Sequence, residues 1–384
     1  MEDVSQRKPS DEIMEINLNI NVIIIIVSFR NAHDVVGSLK SLSYAYSSPS
    51  FQIFIAENGG SDAMDNLLRV LTGDRCCAPS SDTVLSDLTG IVRHQELYLL
   101  DSNGRPVTRV YVAEMPENLG YAGAINSWLR PLLKICGWDA VWILNPDTQV
   151  TPSALRELAV HSSRFAKGMV GSRLVGPNYP NHVHTRGLRW RKLFADTLAV
   201  DYLSPVEPAP DPEDVDRRIE APSGASCYVT RDLIDRIGLM DERYFLYFED
   251  LEWGCRAQQF GGAGYAHASI VFHEGGTTIG TASTRVSKSP LSVYLEFRNK
   301  VLFVRSHHRG WLWWTIVMQV AHVLMFGAAG AFKNMGFAIR GLLAGVVGKT
   351  GRPDHVLSTA RSQIVCEGST LSPNVLTDNK DSFR

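Results

Sequence analysis

Six consecutive apolar residues, nearly all of them β-branched, occupy positions 22–27 (VIIIIV) near the start of the chain. A run of this kind without polar alternation is typical of a strand that is buried on both faces of a parallel sheet. Apolar residues at helical spacing follow within residues 28–46, and a second apolar run lies at 51–56. Parallel strands need a crossover connection, so this order predicts a right-handed βαβ unit and an α/β fold.

A third apolar run, residues 141–144 (VWIL), ends abruptly at the triplet Asn145, Pro146 and Asp147. Proline cannot donate a hydrogen bond to a central ladder, so the triplet marks the end of a buried strand. Open α/β sheets bind ligands in the crevice beyond the carboxyl ends of their strands. Asp147 is therefore a candidate ligand-binding residue, although an aspartate here, taken alone, more often forms a turn or caps the helix that follows.

Two glycine-containing segments also follow predicted strands. Residues 57–62 (ENGGSD) combine glycines, which allow a tight turn beneath a ligand, with the carboxylate of Glu57, which can accept from a base N–H or a ribose hydroxyl. Residues 117–126 (ENLGYAGAIN) open a helix whose exposed N–H groups suit a phosphate. For both segments the alternative is an ordinary turn that starts a helix.

Three carboxylates, Glu249, Asp250 and Glu252, come directly after the aromatic-rich run 244–248 (YFLYF). Acidic residues in a first helical turn usually interact with the helix dipole at the surface. The aromatic side chains before them indicate instead that at least one carboxylate faces a walled, partly dry cleft. His273 comes directly after a further short apolar run, which makes it a second candidate at a strand end.

Residues 176–216 are rich in Pro, Arg and His and show little periodicity, which predicts a mobile loop over a site. His182 and His184 in this segment could bind a metal, but a solvated role is favoured in so polar a loop. An Asn-Gly pair at Asn103 and Gly104, between two apolar runs, predicts an additional hairpin or a lengthened third strand.

The composition is that of an ordinary globular protein. The chain has 384 residues, enough for two domains or for one domain with an appendage. Its formal net charge of -2 provides no positive field for nucleic acid. The cysteines lack C-x-x-C spacing, and residues 1–19 lack the apolar core of a signal peptide, so we expect a reducing, cytoplasmic location.

In combination these motifs resemble the family 2 glycosyltransferases, which are inverting nucleotide-sugar enzymes of GT-A fold, and within them the rhamnosyltransferase-like branch. The resemblance covers about residues 21–349 and depends on the order of five motifs. The family's first-strand motif is matched by VSFRN with Arg30 inserted, and its Asp-Asn-x-Ser-x-Asp turn is matched with Glu57 in place of aspartate. The donor-binding residues that the resemblance implies are Ser28, Glu57, Asn58, Asn118, Gly120, Tyr121, Gly123, Asn126 and Asn145.

The same resemblance implies a metal site and a catalytic base. Asn-Pro-Asp is the branch's version of the Asp-x-Asp metal motif, so Asp147 would hold a divalent cation, Mg²⁺ or Mn²⁺, with His273 as a further ligand. The motif Tyr-Phe-Glu-Asp-x-Asp/Glu identifies Asp250 as the base that takes the acceptor's proton. The residues implied at the acceptor site are Tyr247, Glu249, Glu252 and Arg256.

Residues 311–332 contain no Asp, Glu, Lys or Arg and are long enough to span a bilayer. Tryptophans at one end and basic residues on both sides favour interfacial membrane contact, which fits an acceptor carried on a lipid. Gln319 and His322 count against an isolated span, and a buried packing helix is the remaining alternative. Farther upstream, Arg298 and Asn299 match an Arg-Asn pair often found in the family's helical carboxyl-terminal part.

We therefore expect a polar leader (1–19), a GT-A domain with a Rossmann-like, mostly parallel sheet (20–288), a helical carboxyl-terminal region (289–350) and a polar tail (351–384). The expected function is inverting, metal-dependent transfer of a sugar, rhamnose by the branch resemblance, from a dTDP- or UDP-sugar to a glycan or lipid-linked acceptor. The expected setting is polysaccharide or cell-envelope glycan synthesis in the cytoplasm, at the inner face of the cell membrane.

Two other functions remain as alternatives. A catalytically silent nucleotide-sugar-binding or scaffold protein would be expected to lack Asp147 or Asp250, and both are present. A sugar-nucleotide pyrophosphorylase needs a glycine-rich first loop with a basic residue for a triphosphate, whereas residues 22–31 contain no glycine.

Overall fold

The computed structural model describes residues 19–80, 90–176, 179–273 and 284–357 of the chain. The strands are β1 (Asn21–Ser28), β2 (Ser50–Glu57), β3 (Cys77–Pro79), β4 (Arg93–Leu100), β5 (Pro106–Glu114), β6 (Ala140–Leu144), β7 (Thr148–Val150), β8 (Met169–Gly176), β9 (Tyr179–Thr185), β10 (Leu188–Arg191), β11 (Asp196–Ala199), β12 (Ser226–Thr230) and β13 (Ala263–His273). The helices are α1 (Ala32–Leu42), α2 (Ser61–Gly73), α3 (Gly120–Leu132), α4 (Ala154–Arg164), α5 (Pro212–Arg218), α6 (Arg231–Ile237), α7 (Glu249–Ala257), α8 (Pro290–His307), α9 (Leu312–Ala328) and α10 (Phe332–Val346). The predicted leader, apart from Asn19, and the predicted tail beyond residue 357 lie outside the described residues.

One large sheet has the strand order β3-β4-β5-β2-β1-β6-β12-β8-β13-β7, with β9 paired to β8. Its centre, β5-β2-β1-β6, is parallel, and β8 and β13 run in that same direction. Strands β4, β12, β7 and β9 run the opposite way. A mostly parallel sheet with flanking helices confirms the predicted α/β class.

The apolar run at the start of the chain is buried on both faces of this sheet. Ile24 and Ile26 pack into a core with α1, α2 and α4, whereas Ile23 and Ile25 pack into a second core with α3, α6 and α7. Full burial of such a side chain stabilises a fold by roughly 1.5–3 kcal/mol. The absence of polar alternation therefore reflects helices that cover β1 on both sides.

The parallel register brings several predicted site residues to one edge of the sheet. Ser28, the last residue of β1, pairs with Glu57, the last residue of β2. On the other side of β1, Ile26 pairs with Leu144 at the end of β6. The carboxyl ends of these three strands lie side by side, and Asn145 continues from the same edge.

The hairpin predicted around Asn103 and Gly104 is confirmed, because β4 pairs antiparallel with β5 and Gly104 adopts a left-handed φ of +75°. Residues 72–87 are polar and contain Gly, Pro and Ser, a composition that is typical of a surface loop. Part of this segment is instead β3, which pairs with β4, and its Cys77 is buried. Residues 81–89 lie outside the described part of the chain.

The prediction of a mobile loop at 176–216 is wrong. The described residues of this segment form β9, β10, β11 and the start of α5. Order here depends on ion pairs together with scattered buried side chains such as Val183, Trp190 and Val200, and neither produces an apolar period in the sequence. Arg191 forms a two-armed ion pair with Asp196 at 2.8 and 2.5 Å, and Arg218 forms another with Asp201 at 2.7 and 2.9 Å.

The chain divides into two compact units. We call them the sheet unit, which comprises residues 1–191, 196–242 and 248–278, and the helical unit, which comprises residues 192–195, 243–247 and 279–384. The predicted boundary at residue 288 lies close to this division and stays a prediction. In the helical unit, α8 packs against α9 and α10 around a buried apolar core.

One helical stretch in the described residues, Arg309–Ala328, is long and apolar enough to cross a membrane by length and composition, with a mean hydropathy of 1.4. Only 22% of it is buried. Thr315 and Gln319, on the covered side of α9, are fully buried, and the Gln319 amide donates to the carbonyl of Phe297 at 2.9 Å. The helix therefore turns its polar residues inward and most of its apolar surface outward.

Candidate active site

The carboxylate of Glu57 is fully buried and joins the ends of β1 and β2. The hydroxyl of Ser28 donates to its Oε2 at 2.5 Å, and the backbone N–H groups of Arg30 and Gly59 donate to its Oε1 at 3.2 and 2.7 Å. Hydrogen bonds from backbone N–H groups stabilise a buried carboxylate. Glu57 thus closes the turn at this strand end, and its predicted contact with the donor base stays a prediction.

Side-chain amides hold the turn that opens α3. Asn58 donates to the carbonyl of Gly120 at 2.9 Å, and the side-chain oxygen of Asn118 accepts from the Gly120 N–H at 3.0 Å. Gly120 has φ +74°, a conformation that favours glycine. A Cβ atom at Gly123 would lie 2.8 Å from the Cβ of Leu119, so this residue must also be small. The glycine pattern therefore has a structural cause beside the predicted donor contact.

Asn126 lies farther along α3 and makes its hydrogen bonds inside the protein. Its amide donates to the carbonyl of Met240 at 2.9 Å and to the carboxylate of Glu242 at 2.7 Å, and its oxygen accepts from the Met240 N–H at 3.2 Å. These bonds fix residues 240–242, which precede α7. The predicted role of Asn126 in donor binding stays a prediction.

Asp147 and His273 lie together, as sequence reasoning expected. Strand β13 pairs with β7 so that His273 faces Thr148, and the Nε2 of His273 is 3.4 Å from the Oδ1 of Asp147. The ring of His184, on β9, lies edge-on to that of His273 with centroids 6.0 Å apart. Burial lowers the pKa of His184, and His273 lowers it further. Within the described residues, no group of three or more His, Cys, Asp or Glu side chains is close enough to hold a metal by itself.

Asp250 is anchored at the start of α7 by two backbone groups. The N–H of Gly224 donates to its Oδ2 at 3.0 Å, and the N–H of Leu251 donates to its Oδ1 at 2.8 Å. Burial raises the pKa of Asp250, and these two hydrogen bonds oppose the rise. A carboxylate with a raised pKa is a stronger base when ionised.

Glu249 precedes Asp250 and is 4% exposed. Its Oε2 has no hydrogen-bond partner among the described residues. Burial, followed by the charge of Asp250, raises the pKa of Glu249 to about 8. The adjacent carboxyl groups therefore favour a state in which Glu249 keeps its proton, because two buried like charges oppose each other.

Glu252 and Arg256 form an ion pair one turn apart on α7. The guanidinium nitrogens of Arg256 lie 2.8 and 3.1 Å from Glu252 Oε2. Arg256 also donates to the backbone carbonyls of Ile237 and Leu239, which fixes the turn after α6. These contacts are internal, and the predicted role of both residues in acceptor binding stays a prediction.

The hydroxyl of Tyr121 lies between the Asn-Pro-Asp turn and the segment that holds Asp250. It is 2.9 Å from the side-chain oxygen of Asn145 and 2.8 Å from the carbonyl of Gly224. Sequence reasoning missed Gly224, because residues 221–230 (APSGASCYVT) indicate only a turn that leads into a strand. The one available signal was the glycine itself, at a turn before a buried strand.

Tyr247, the remaining predicted acceptor-site residue, belongs to the helical unit. Its hydroxyl is 3.0 Å from that of Ser292. The side-chain amide of Asn299 donates to the carbonyls of Tyr244, Leu246 and Tyr247 at 3.1, 2.8 and 2.9 Å. Tyr247 itself has φ +67°, an uncommon backbone conformation for a bulky residue, so these bonds support a strained segment.

Sequence comparison finds relatives among glycosyltransferases, although no protein-family model matches the chain. The chain is 22% identical over 316 residues to the low-salt glycan biosynthesis hexosyltransferase Agl10 of Haloferax volcanii, a match that covers 79% of this chain and 93% of the relative. It is 27% identical over 241 residues to the N-acetylglucosaminyl-diphospho-decaprenol L-rhamnosyltransferase of Mycobacterium tuberculosis, with coverage of 52% and 69%.

Solved structures resemble the chain more distantly. The mannosyltransferase PcManGT from Pyrobaculum calidifontis has a TM-score of 0.46 at 11% identity, with 90% of this chain and 80% of that chain covered. TarS 1-349 of S. aureus has a TM-score of 0.42 at 12% identity, with 75% and 66% covered. Its mostly parallel α/β sheet and its sequence relatives indicate that the protein is a glycosyltransferase, with a rhamnosyltransferase among those relatives.

Proposed function

We propose that the protein transfers a sugar from a nucleotide-diphosphate sugar to a hydroxyl group of a glycan or lipid-linked acceptor, with inversion at the anomeric carbon. The observation that carries this proposal is the link from the Asn-Pro-Asp turn to Asp250 through Tyr121 and Gly224. It joins a candidate cation-binding turn to a candidate base within one unit. Displacement of a nucleoside diphosphate needs both functions on the two sides of the reacting carbon.

Asp250 would act as the general base. The acceptor oxygen forms a bond to the anomeric carbon, its proton passes to the Asp250 carboxylate, and the bond from the anomeric carbon to the diphosphate oxygen breaks. The nucleoside diphosphate then leaves with the bonding electron pair. The raised pKa of Asp250 supports this role, because a more basic carboxylate takes up the hydroxyl proton more readily.

Asp147 and His273 would hold the divalent cation. They provide one carboxylate oxygen and one imidazole nitrogen 3.4 Å apart, which fits an ion that takes its other ligands from diphosphate oxygens and water. The imidazole ligand favours Mn²⁺ over Mg²⁺. When bound, the cation would neutralise negative charge on the departing diphosphate.

The relatives support a particular donor and acceptor. Since one relative is named as a rhamnosyltransferase acting on a diphospho-decaprenol acceptor, we propose rhamnose on dTDP, with a UDP-sugar as the other candidate donor. The name of the haloarchaeal relative supports glycan biosynthesis as the setting. A lipid-linked acceptor would place the reaction at the cytoplasmic face of a membrane.

An exposed apolar face on the helical unit supports contact with that membrane. Trp313 and Leu324 on α9 are 81% and 66% exposed, and they belong to a stripe at helical spacing. We call the outward apolar residues of α9 and α10 the apolar face; its members are Trp313, Val317, Val320, Leu324, Phe332, Ile339, Leu343 and Val346. Monomeric soluble proteins rarely expose contiguous apolar surface without a partner.

The charges around the apolar face favour an anionic lipid surface as its partner. The sequence has no Asp or Glu between Glu296 and Asp354, whereas Arg309, Lys333 and Arg340 are exposed. Helices that lie in a membrane interface typically insert apolar side chains below the lipid headgroups and carry basic residues beside them. Because Thr315 and Gln319 are packed inside the unit, this arrangement supports a helix that lies on the membrane over one that crosses it.

A thermal-shift panel with UDP, dTDP and GDP, each with and without Mn²⁺, tests the donor class. We expect one nucleotide to raise the melting temperature in a metal-dependent way, and the matching nucleotide sugar to release nucleoside diphosphate when a polyprenyl diphosphate-linked sugar is added. If a nucleotide binds in a metal-dependent way but no donor and acceptor pair releases nucleoside diphosphate, a catalytically silent binding protein is favoured. No shift with any of the three nucleotides would contradict the proposed function.

A further inference from the structure

We infer that Tyr121 is a positioning residue that sets the place of Asp250 relative to the Asn145–Asp147 turn, and that its hydroxyl serves this purpose instead of donor binding. The inference rests on the proposed function, because it assigns Asp250 as the base. It adds a role for Tyr121 that differs from the donor contact which the family resemblance implies.

Tyr121 contacts both elements with one atom. Its hydroxyl oxygen lies 2.9 Å from Asn145 Oδ1 and 2.8 Å from the Gly224 carbonyl, so one phenolic proton is shared between two acceptors. The N–H of the same Gly224 donates to Asp250 at 3.0 Å. Gly224 therefore links the tyrosine to the carboxylate through its two backbone groups.

The other side of the link is equally fixed. The backbone N–H of Asn145 donates to the carbonyl of Ala225 at 3.0 Å, and the Asn145 carbonyl accepts from the Thr148 hydroxyl at 2.6 Å. The end of β6 is thus tied to the turn before β12 by its backbone as well as by Tyr121. Asp147 lies two residues beyond Asn145, so a shift of this turn moves the candidate cation ligand.

The space around Gly224 shows how close these groups are. A Cβ atom there would lie 3.3 Å from Asp250 Oδ2 and 3.6 Å from Cε1 of Tyr121. The missing side chain lets the carboxylate and the phenol ring approach the same backbone residue. Burial raises the pKa of Tyr121 well above its ordinary value, and the charges of Glu249 and Asp250 raise it further, so the hydroxyl keeps the proton that it donates.

The positioning role and the donor-binding role predict different kinetics for Tyr121→Phe, which removes one oxygen and keeps the ring. A residue that binds the donor equally in the ground and transition states changes KM and leaves kcat intact. A residue that orients the base changes kcat, because small displacements of a reacting group are costly. We expect kcat to fall by about 10- to 100-fold and the donor KM to stay within about twofold.

Gly224→Ala provides a second variant, since it keeps every reacting group while its added methyl group must shift the Asp250 carboxylate by a few tenths of an ångström. We expect the same fall in kcat with little change in donor KM. Tyr228→Phe is the matched control, because Tyr228 is also a buried tyrosine of the sheet unit but lies on β12, outside the candidate site. Its kcat should equal that of the wild type.

The experiment compares kcat, donor KM and melting temperature for the wild type and the three variants, with the donor and acceptor found by the nucleotide panel. A wild-type kcat in Tyr121→Phe overturns the inference, and so does a raised donor KM with unchanged kcat. If Tyr121→Phe fails to fold, an unchanged kcat in Gly224→Ala overturns it. A wild type that transfers no sugar contradicts the proposed function itself, whereas active wild type with normal variants contradicts only the role of Tyr121.

Discussion

At the scale of single residues, Asp250 has the environment of a base with its orientation fixed. Two backbone N–H groups hold its oxygens, and burial raises its pKa. Asp250→Asn keeps the shape of the side chain and removes its basicity. We expect transfer to fall by about 10²- to 10⁴-fold while metal-dependent nucleotide binding stays close to that of the wild type, as measured by kinetics and thermal shift.

Asp235→Asn is the control for this substitution, because Asp235 is an exposed aspartate of the same unit that forms an ion pair with Arg231. Surface ion pairs contribute little, so activity and stability should be unchanged. Wild-type turnover in Asp250→Asn would mean that another group takes the acceptor's proton.

Asp147 should affect the metal response. Asp147→Ala removes a carboxylate that lies 3.4 Å from His273 and leaves the imidazole as the nearest ligand. We expect the Mn²⁺-dependent part of the nucleotide thermal shift to require at least about tenfold more metal, since even loss of a group that only supports a ligand costs that much. An Mn²⁺ titration identical to that of the wild type would remove Asp147 from the cation site, and Asp235→Ala should behave like the wild type.

Glu249 should make stability depend on pH. Its ordinary pKa of 4.5 is raised to about 8 in the fold, so between these values the folded protein binds a proton that the unfolded chain has lost. The free energy of unfolding should therefore fall as pH rises from about 5 to about 8. In Glu249→Gln the part of this fall that Glu249 causes should disappear, because the amide does not ionise.

Urea unfolding at pH 5 and pH 8 measures this difference. Glu213→Gln is the control, because Glu213 is an exposed glutamate of α5 whose carboxylate lies 3.9 Å from the guanidinium of Arg217. This variant should keep the wild-type pH dependence of stability. If the free energy of unfolding changed by the same amount between pH 5 and pH 8 in the wild type and in Glu249→Gln, Glu249 would not hold the proton.

The sequence singled out candidate reacting residues more readily than the residues that contact them. Asp147 and Asp250 were recognisable from residue type and position next to an apolar run, because carboxylates at strand ends and helix starts follow general rules. Their partners come from far along the chain, as the contact of Tyr121 with Gly224 shows across 103 positions. No local pattern contains such a pairing, and the role of Glu57 in closing its own turn was hidden for the same reason.

At the scale of elements, continuous apolar runs predicted the strands at the sheet centre, whereas residues 179–216 combine scattered buried side chains with ion pairs that no periodicity marks. β1, β2 and β6 are buried on both faces, so burial dictates their composition. The hairpin of β10 and β11 is held by Arg191 and Asp196, and its polar residues look like loop residues. Sequence periodicity detects burial and does not detect order that depends on charge pairs.

Close packing of α8 against α10 gives a prediction at this scale. A Cβ atom on Gly341 would lie 2.3 Å from the carbonyl oxygen of Tyr294, so Gly341→Ala must force the helices apart. We expect it to destabilise the protein by about 1–3 kcal/mol. Gly336 lies on the same helix with nothing within 4 Å of an added Cβ, so Gly336→Ala should stabilise it by about 0.5–1 kcal/mol.

Chemical denaturation of the two variants measures this difference in sign. Since both substitutions add the same methyl group to the same helix, helix propensity cancels in the comparison. Equal stability of Gly341→Ala and Gly336→Ala would contradict the close approach of α8 and α10.

At the scale of the whole molecule, the protein combines a sheet unit, which contains the candidate active site, with a helical unit that exposes the apolar face. The tip formed by Leu193 and Phe194 is also exposed in the helical unit, and the Nε1 of Trp314 donates to the Leu193 carbonyl at 2.8 Å. The backbone of Leu193 therefore lies next to Trp314 of α9.

The apolar face should bind vesicles that contain anionic lipid. The double variant Trp313→Gln/Leu324→Gln should bind them at least about tenfold more weakly. Each substitution removes the burial free energy of one apolar side chain, which exceeds the roughly 1.4 kcal/mol that a tenfold change represents. Cosedimentation with phosphatidylglycerol and phosphatidylcholine vesicles at low and high salt measures the effect. Basic residues near the face predict stronger binding to the anionic vesicles, and salt should weaken it because it screens these charges. Tyr44→Gln, at an exposed tyrosine of the sheet unit, should bind like the wild type. The wild type could instead fail to bind vesicles and form a dimer that the double variant abolishes. This result would show that the apolar face binds a second copy of the chain.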